Sequence, residues 1–205
     1  EHFQKIKQKN VFSHSMKDEE IQAIQELLST PKKVVIIPHR SPDGDAMGST
    51  LGLYHFLQKL NHEAVVIAPN EFPDFLAWLP ASEKVLIYEK EKEKTAQIIL
   101  EADLVFTLDF NALHRTGEME QVLKKVTAPF IMIDHHQKPD DYAKYMFSDT
   151  KYGSTCEMLY HFMVSLGTKD LIDKTIATCI YTGIVTDSGS FRFPSTTSTT
   201  HRVVA

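Results

Sequence analysis

Short apolar runs alternate along this chain with longer segments whose apolar residues recur every three to four positions, the pattern of strands alternating with helices. Lys33 to Ile37 (KVVII) is a continuous β-branched run, as expected of a strand buried on both faces. Glu63 to Ala68 (EAVVIA), Lys84 to Tyr88, Leu104 to Leu108 (LVFTL) and Phe130 to Ile133 (FIMI) read as further strands. Residues 15–29 predict a helix, with Ile21, Ile24 and Leu28 on one stripe, a Ser15/Asp18 pair resembling a capping box, and Pro31 as the stop. Residues 46–60 predict a second, with Met47, Leu51 and Tyr54 on one stripe and Leu53, Leu57 and Leu60 beside it. Glu118 to Val126 predicts a third, with Met119, Val122, Leu123 and Val126 inward, and two more follow over 154–166 and 170–184. The sign-alternating Glu89 to Lys94 reads as a solvated helix entrance. Such alternation implies right-handed βαβ units, hence an α/β fold with a mainly parallel sheet flanked by helices.

Three of these strands, starting near 33, 104 and 130, end in ionisable residues. In open α/β sheets ligands sit beyond the carboxyl ends of the strands, so polar clusters far apart in sequence are expected to converge there.

Composition narrows the class. With 205 residues, 42% hydrophobic and 24% charged, the chain is an ordinary globular protein with enough material for a core. No apolar run approaches the roughly 20 residues of a membrane span, and no apolar signal core follows the polar start, so a soluble protein is expected. Cys156 and Cys179 form no CxxC pair, which argues against a disulfide framework and a cysteine-rich zinc site and fits a reducing, cytoplasmic compartment. The formal charge of −5 disfavours a grip on long duplex nucleic acid, which needs many Lys and Arg. Two divalent cations would nearly cancel it, so net charge is a weak guide to an anionic substrate.

The chemistry concentrates in four places. His39, Asp43 and Asp45 directly follow the first strand and supply one imidazole and two carboxylates, donors suited to Mn²⁺. Asp45 also opens a helix with Ser49 in its first turn, where free N–H groups face an anion such as phosphate. Asp109 ends a strand, and a carboxylate between other ligands can bridge two ions. Asp134-His135-His136 ends a buried strand, where three ionisable groups are costly unless paired or metal-bound. In extended backbone His135 and His136 face opposite ways, so that one ligates while the other reaches substrate and Asp134 orients. Asp187 lies in a Ser/Gly turn followed by Arg192, able to join a metal to a phosphate clamp. Taken alone, each has a structural reading as well: turn chemistry for Asp43-Gly44 and Asp109, a plain cap for Ser49, a helix-terminal turn for Asp187. The chain has no GxSxG, GxxxxGK[ST] or GxGxxG.

Together, His39-x-x-x-Asp43-x-Asp45-x-x-Gly48-Ser49, Asp109, Asp134-His135-His136 and Asp187 resemble, in order, the four motifs of the DHH phosphoesterase superfamily, over residues 39–192. Leu51 to Leu57, Leu108 to Asn111 with Arg115-Thr116-Gly117, and Gly183 to Phe193 (GIVTDSGSFRF) are similar to the bacterial nanoRNase/pAp phosphatases within it, relatives of RecJ-type exonucleases.

The resemblance implies a Rossmann-like sheet and two Mn²⁺ ions, or Mg²⁺ or another divalent metal in their place. His39 and Asp43 would hold one ion, Asp45, His135 and Asp187 the other, with Asp109 bridging. His136 would assist the phosphoryl or leaving oxygen with Asp134 behind it, and Ser49, Arg115, Ser190 and Arg192 would contact phosphate. The implied activity is hydrolysis of short oligoribonucleotides and of 3′-phosphoadenosine 5′-phosphate to mononucleotides by a water activated between two metals. Alternatives are a manganese-dependent inorganic pyrophosphatase, a cyclic- or linear-dinucleotide phosphodiesterase, and a non-enzymatic nucleotide-sensing module. The implied partners are short oligoribonucleotides or small phosphorylated nucleotides, with no membrane and with a homodimer as the assembly. Residues 1–205 would form the catalytic domain with an N-terminal helix. Nothing in them matches the family's smaller, glycine-rich C-terminal substrate-binding domain, and the end at Thr200 to Ala205 reads as the start of a helix that more protein once followed.

Overall fold

The computed structural model describes residues 17–205. Its helices are α1 (Asp18–Leu27), α2 (Gly44–Lys59), α3 (Lys92–Leu100), α4 (Glu120–Leu123), α5 (Thr155–Ser165), α6 (Lys174–Asp187) and α7 (Ser198–Val204). Its strands are β1 (Lys33–Pro38), β2 (Glu63–Ala68), β3 (Leu86–Ile87), β4 (Leu104–Leu108), β5 (Phe130–Asp134) and β6 (Tyr145–Ser148). Among the described residues the strands form one sheet in the order β3-β2-β1-β4-β5-β6, every pair parallel.

The chain runs outward from β1 through β2 to β3, then returns to lay β4 against the other side of β1. The strand order therefore reverses between β1 and β4, and a crevice opens where their carboxyl ends diverge. His39 follows β1 and Asp109 follows β4, so the topology alone brings these two polar ends together.

Alternation along the strands divides the core. Val34 and Ile36 of β1 join one cluster with α1, α2, α5 and α6, while Val35 and Ile37 join a second with Ile99 of α3 and Leu123 of α4. This accounts for the unbroken apolar run at 34–37: past exposed Lys33, neither face of β1 meets water. Helix α2 sets Met47, Leu51, Leu53, Phe56 and Leu57 at zero exposure, each worth roughly 1.5–3 kcal/mol of burial.

Helices α2 and α6 approach closely because small residues line their seam. A methyl group on Gly48 would stand 2.5 Å from the Cys179 carbonyl oxygen, and one on Gly183 would stand 2.6 Å from Asp45 Oδ1. The contact sets Asp45, in the first turn of α2, near Asp187, the last residue of α6.

Several expected elements differ. Helix α1 begins at Asp18, capped by Lys17, whose N–H donates to Glu20 Oε2 (3.0 Å); Ser15 lies outside the described residues. The strand expected over 84–88 shrinks to Leu86–Ile87 at the sheet edge, after a 3-10 turn over Ser82–Lys84. The helix expected over 118–126 is a 3-10 segment (Leu113–Met119) leading into the four residues of α4, because Gly117 turns the chain at φ 63°. Strand β6 has no counterpart among the predicted strands: four residues at the other edge carry too little alternation to stand out. Helix α6 starts later, at the Asp173 cap, and runs on to Asp187. No helix among the described residues is long and apolar enough to cross a membrane.

Candidate metal centre

Each element delivers its side chain for a local reason. Asp43 caps α2, its Oδ1 accepting the N–H groups of Asp45 (3.0 Å) and Ala46 (3.1 Å). That bond holds the β1–α2 turn so that the remaining carboxylate oxygen faces His39, with Nε2 to Asp43 Oδ2 at 3.9 Å. Asp109 leaves β4 with φ 66°, a left-handed conformation that turns its carboxylate back over the strand end.

The donors form one contiguous cluster. Asp109 Oδ2 lies 3.5 Å from His39 Nε2, and Asp109 Oδ1 lies 3.5 Å from His135 Nε2. His135 Nε2 also lies 3.4 Å from Asp187 Oδ2 and 4.0 Å from Asp45 Oδ2. Asp45 and Asp109 are buried, His135 and Asp187 are half-buried, and Asp43 is exposed.

Both imidazoles present the same nitrogen. His39 Nδ1 lies 2.8 Å from the Arg40 carbonyl oxygen and His135 Nδ1 lies 3.3 Å from that of Tyr152. A carbonyl accepts only, so Nδ1 carries the hydrogen and Nε2 turns toward the carboxylates. The Nε2-to-carboxylate separations of 3.4–4.0 Å exceed the roughly 2.7–3.2 Å of an ordinary hydrogen bond, and Nε2 and carboxylate oxygens are the donors a divalent cation takes. Asp45/His135/Asp187 and His39/Asp43/Asp109 each bring three ligand atoms within 4.8 Å of one another, as do Asp109/His135/His136. The residues present therefore fit a divalent metal.

The electrostatics agree. Burial and the charges of Asp109 and Asp187 push the Asp45 carboxyl well above the ordinary range. Burial raises Asp187 to about 6 despite His135, with Asp109 and Asp43 adding to the rise. Asp109 goes the other way: burial opposes its ionisation, but the facing imidazoles of His135 and His39 hold it ionised far below the usual carboxylate range. For His135, burial works against the imidazolium, yet Asp109, Asp45 and Asp187 outweigh it and lift the group to about 9. His39 shifts upward for the same reason, with Asp109 and the Arg40 carbonyl prevailing over burial. The cluster without metal thus retains protons where a cation belongs.

Between pH 6.5 and about 9 the folded, metal-free protein keeps a proton on His135 that the unfolded chain releases. That contribution is complete below pH 6.5 and lost as pH rises through 9; Asp187 acts in the same sense lower down, from 3.8 through about 6. Thermal denaturation in EDTA is expected to show a Tm that falls from pH 6.5 to 9, and excess Mn²⁺ to remove most of the fall. A metal-free Tm that climbs across that window would contradict the assignment.

His135 and His136 do not face opposite ways. Strand β5 ends at Asp134, and the next residues leave the pleat, so the two rings pack edge-on with centroids 4.7 Å apart and both approach Asp109. His136 is held from behind: buried Asp134 accepts its backbone N–H (3.1 Å) and its Nδ1–H (2.7 Å).

The residues expected to meet phosphate scatter. Ser49 is fully buried and donates to the Ala46 carbonyl oxygen (3.2 Å), so it acts inside α2 and presents nothing to a ligand. Arg115 is exposed, and its carbonyl accepts the Arg40 N–H (2.9 Å), placing its backbone beside the β1 loop. Ser190 and Arg192 lie exposed just beyond Asp187, with Arg192 Nε donating to the Gly189 carbonyl (2.8 Å).

One residue absent from the sequence reading lies at the centre. Thr155, the first residue of α5, is fully buried; its N–H donates to Asp45 Oδ2 (2.6 Å) and its hydroxyl to Asp109 Oδ1 (2.8 Å), while the Cys156 N–H donates to Asp45 Oδ1 (2.9 Å). Free N–H groups at a helix start favour ionised carboxylates, so α5 orders two of the candidate ligands at once. The only sequence signal was Ser154, a cap residue at a helix start, with nothing to say what the helix faced. Thr155→Val keeps the shape, removes the hydroxyl and strands a buried carboxylate oxygen. Metal affinity by calorimetry is expected to drop roughly 10–100-fold, as for other residues that orient ligands, with Thr155→Ser close to wild type. Equal affinity in the valine variant would remove Thr155 from the site.

Fold and donor set together define a class: a parallel α/β domain with a carboxylate–imidazole cluster, its donors fit for divalent metal, at the switch point of its sheet. Residues 33–184 match the DHH family, N-terminal domain, and the chain belongs to that family. It is 34% identical over 189 residues to the bifunctional oligoribonuclease and PAP phosphatase NrnA of Thermus thermophilus, covering 91% of this chain and 53% of that protein. It is 24% identical over 180 residues to the cyclic-di-AMP phosphodiesterase GdpP of Bacillus subtilis, covering 82% of this chain and 27% of that one. A crystal structure of an exopolyphosphatase-related protein from Bacteroides fragilis superposes with a TM-score of 0.89 at 39% identity, over 92% of this chain and 55% of that chain. The chain spans about half the length of the NrnA relative and of this solved neighbour.

Proposed function

We propose that this domain hydrolyses phosphoester bonds in short oligoribonucleotides and in 3′-phosphoadenosine 5′-phosphate, releasing mononucleotides, with two Mn²⁺ ions as its metals. The observation that carries the reading is the carboxylate of Asp109, which faces His39 with one oxygen and His135 with the other, both at 3.5 Å. A buried, ionised carboxylate so placed lies in two donor groups, His39/Asp43/Asp109 and Asp109/His135/His136, and through His135 it borders the third, Asp45/His135/Asp187. Likeness to the Thermus NrnA protein supports the choice of substrate.

The metals, when bound, would neutralise phosphate charge and lower the pKa of a coordinated water toward neutrality. The rest falls to the chain. Thr155 and Cys156 N–H groups fix Asp45 in place, and the Thr155 hydroxyl fixes Asp109. Asp134 holds His136 by Nδ1, so that in the imidazolium form Nε2–H is the group able to donate to a phosphoryl or leaving oxygen.

The test is a substrate panel on the whole chain with Mn²⁺: the dinucleotide pApA, 3′-phosphoadenosine 5′-phosphate, cyclic di-AMP and inorganic pyrophosphate. AMP is expected from the first two, with EDTA abolishing turnover. Turnover of pyrophosphate alone would make the protein a pyrophosphatase, and of cyclic di-AMP alone a cyclic-dinucleotide phosphodiesterase. Tight nucleotide binding that survives metal removal, without turnover, would favour a sensing module.

A further inference from the structure

Immediately after Asp187 the backbone does something costly. Gly189, Ser190 and Phe191 have φ of 56°, 59° and 63°, three successive residues in the left-handed region, one of them bulky. The turn is held from several sides. Ser190 N–H donates to the Val185 carbonyl (2.8 Å) and Phe191 N–H to Ser188 Oγ (3.0 Å). The N–H groups of Arg192 and Phe193 share the Ser188 carbonyl (3.0 and 3.1 Å).

The product of this turn is a fixed aromatic ring. Phe193 lies flush on Gly189, where a methyl group would meet its ring carbons at 2.6–2.8 Å. It nevertheless remains 53% exposed. One end of the segment is two residues from Asp187. The other reaches Gly153, where a methyl group would stand 3.2 Å from the Ser195 carbonyl oxygen, next to Tyr152, whose own carbonyl meets His135. The segment is thus a rim of the metal centre, and its large apolar side chain is left in water.

We propose that Phe193 is the platform on which the nucleobase of the substrate stacks, a specificity residue for nucleotides over other phosphoesters. The inference rests on the nucleotide-phosphoesterase reading above. A ring immobilised beforehand loses little entropy when a base covers it, which gives strain at this position a use. Loss of one such stack weakens binding by about 5- to 150-fold.

The experiment titrates the whole chain, with Mn²⁺, against 2-aminopurine riboside 5′-monophosphate and ribose 5-phosphate. Wild type is expected to quench the fluorescent base and to bind that nucleotide at least ~10-fold more tightly than the ribose phosphate. Phe193→Ala and Phe193→Leu are expected to lose that preference with ribose 5-phosphate binding unchanged; Phe193→Tyr is expected to keep it. Leucine still covers Gly189 but has no π face, so a role in packing alone would leave it like wild type. Equal affinities for the two ligands in wild type, an alanine variant that retains the preference, or parallel weakening of both ligands would each overturn the proposal. Wild-type hydrolysis of pApA, measured alongside, judges the enzymatic reading separately: turnover without base preference removes the platform only, and base preference without turnover removes the phosphoesterase only.

Discussion

Asp109→Ala is expected to halve or abolish Mn²⁺ binding, with metal affinity at least ~100-fold weaker and turnover of pApA reduced accordingly. The reason is geometric. His39 and His135 approach the same carboxylate from opposite oxygens, and both ligand sets lose a member when it goes. Changes one layer out from a metal commonly cost 10–100-fold in affinity, which makes that a floor for a residue inside the site. The loss is also electrostatic. Asp109 is the acid held ionised by its neighbours, whereas burial and mutual repulsion favour protonated Asp45 and Asp187. Those two cannot readily replace its charge. Calorimetric titration gives stoichiometry and affinity together, and circular dichroism confirms folding. Two ions bound in the variant with parental affinity would sink both the bridging role and the mechanism built on it.

Gly183→Val is expected to damage stability and metal binding together. Its side chain would enter the seam where α6 crosses α2, in hard contact with Cys156 Sγ and, at the first carbon, 2.6 Å from Asp45 Oδ1 and 2.9 Å from Cys156 Cβ. None of these neighbours is the free end of a flexible chain: Cys156 is buried at the start of α5, and Asp45 is tied to two backbone N–H groups. Overpacking of this kind costs about 1–3 kcal/mol or more, or a Tm lowered by roughly 2–12 °C in a chain of this size. Relief of the clash also moves Asp45. Gly52→Ala is the control from the α2 side of the same seam: its methyl group would meet Leu159, Cys179 and Ile180 at an ordinary 3.4–3.5 Å, and both Tm and metal binding are expected to hold. Thermal melts with and without Mn²⁺ compare the two. A Gly183→Val protein as stable as Gly52→Ala would show that the seam is loose.

What could be read in advance was whatever announces itself over a few consecutive residues. The runs at 33–37, 104–108 and 130–133 became β1, β4 and β5 because a strand buried on both faces draws apolar side chains to both, leaving only exposed Lys33 at its entry and buried Thr107 as polar positions. His39, Asp109 and Asp134-His135-His136 stood out because ionisable residues directly after such a run have to be accounted for. Edge elements were harder. Strand β6 and the two residues of β3 are too short to establish a period, and the 3-10 segment before α4 turns on the single Gly117.

Contacts between distant residues stayed hidden. Thr155 stands 110 positions from Asp45 in the chain, and only the packing of α5 against the sheet shows that its N–H and hydroxyl hold two carboxylates. Ser49 looked available to phosphate because a helix start is open in isolation; in the fold it is fully buried and bonds within α2. The paired rings of His135 and His136 depend on where β5 stops, which its partner strands decide. The sequence by itself determined the alternation of strands and helices, the α/β class and the donor residues, since these follow from local periodicity and side-chain chemistry. The tertiary structure alone decided the strand order, the switch point between β1 and β4, and the sharing of Asp109 by two imidazoles, since these arise from pairings between segments that carry no local signal of one another.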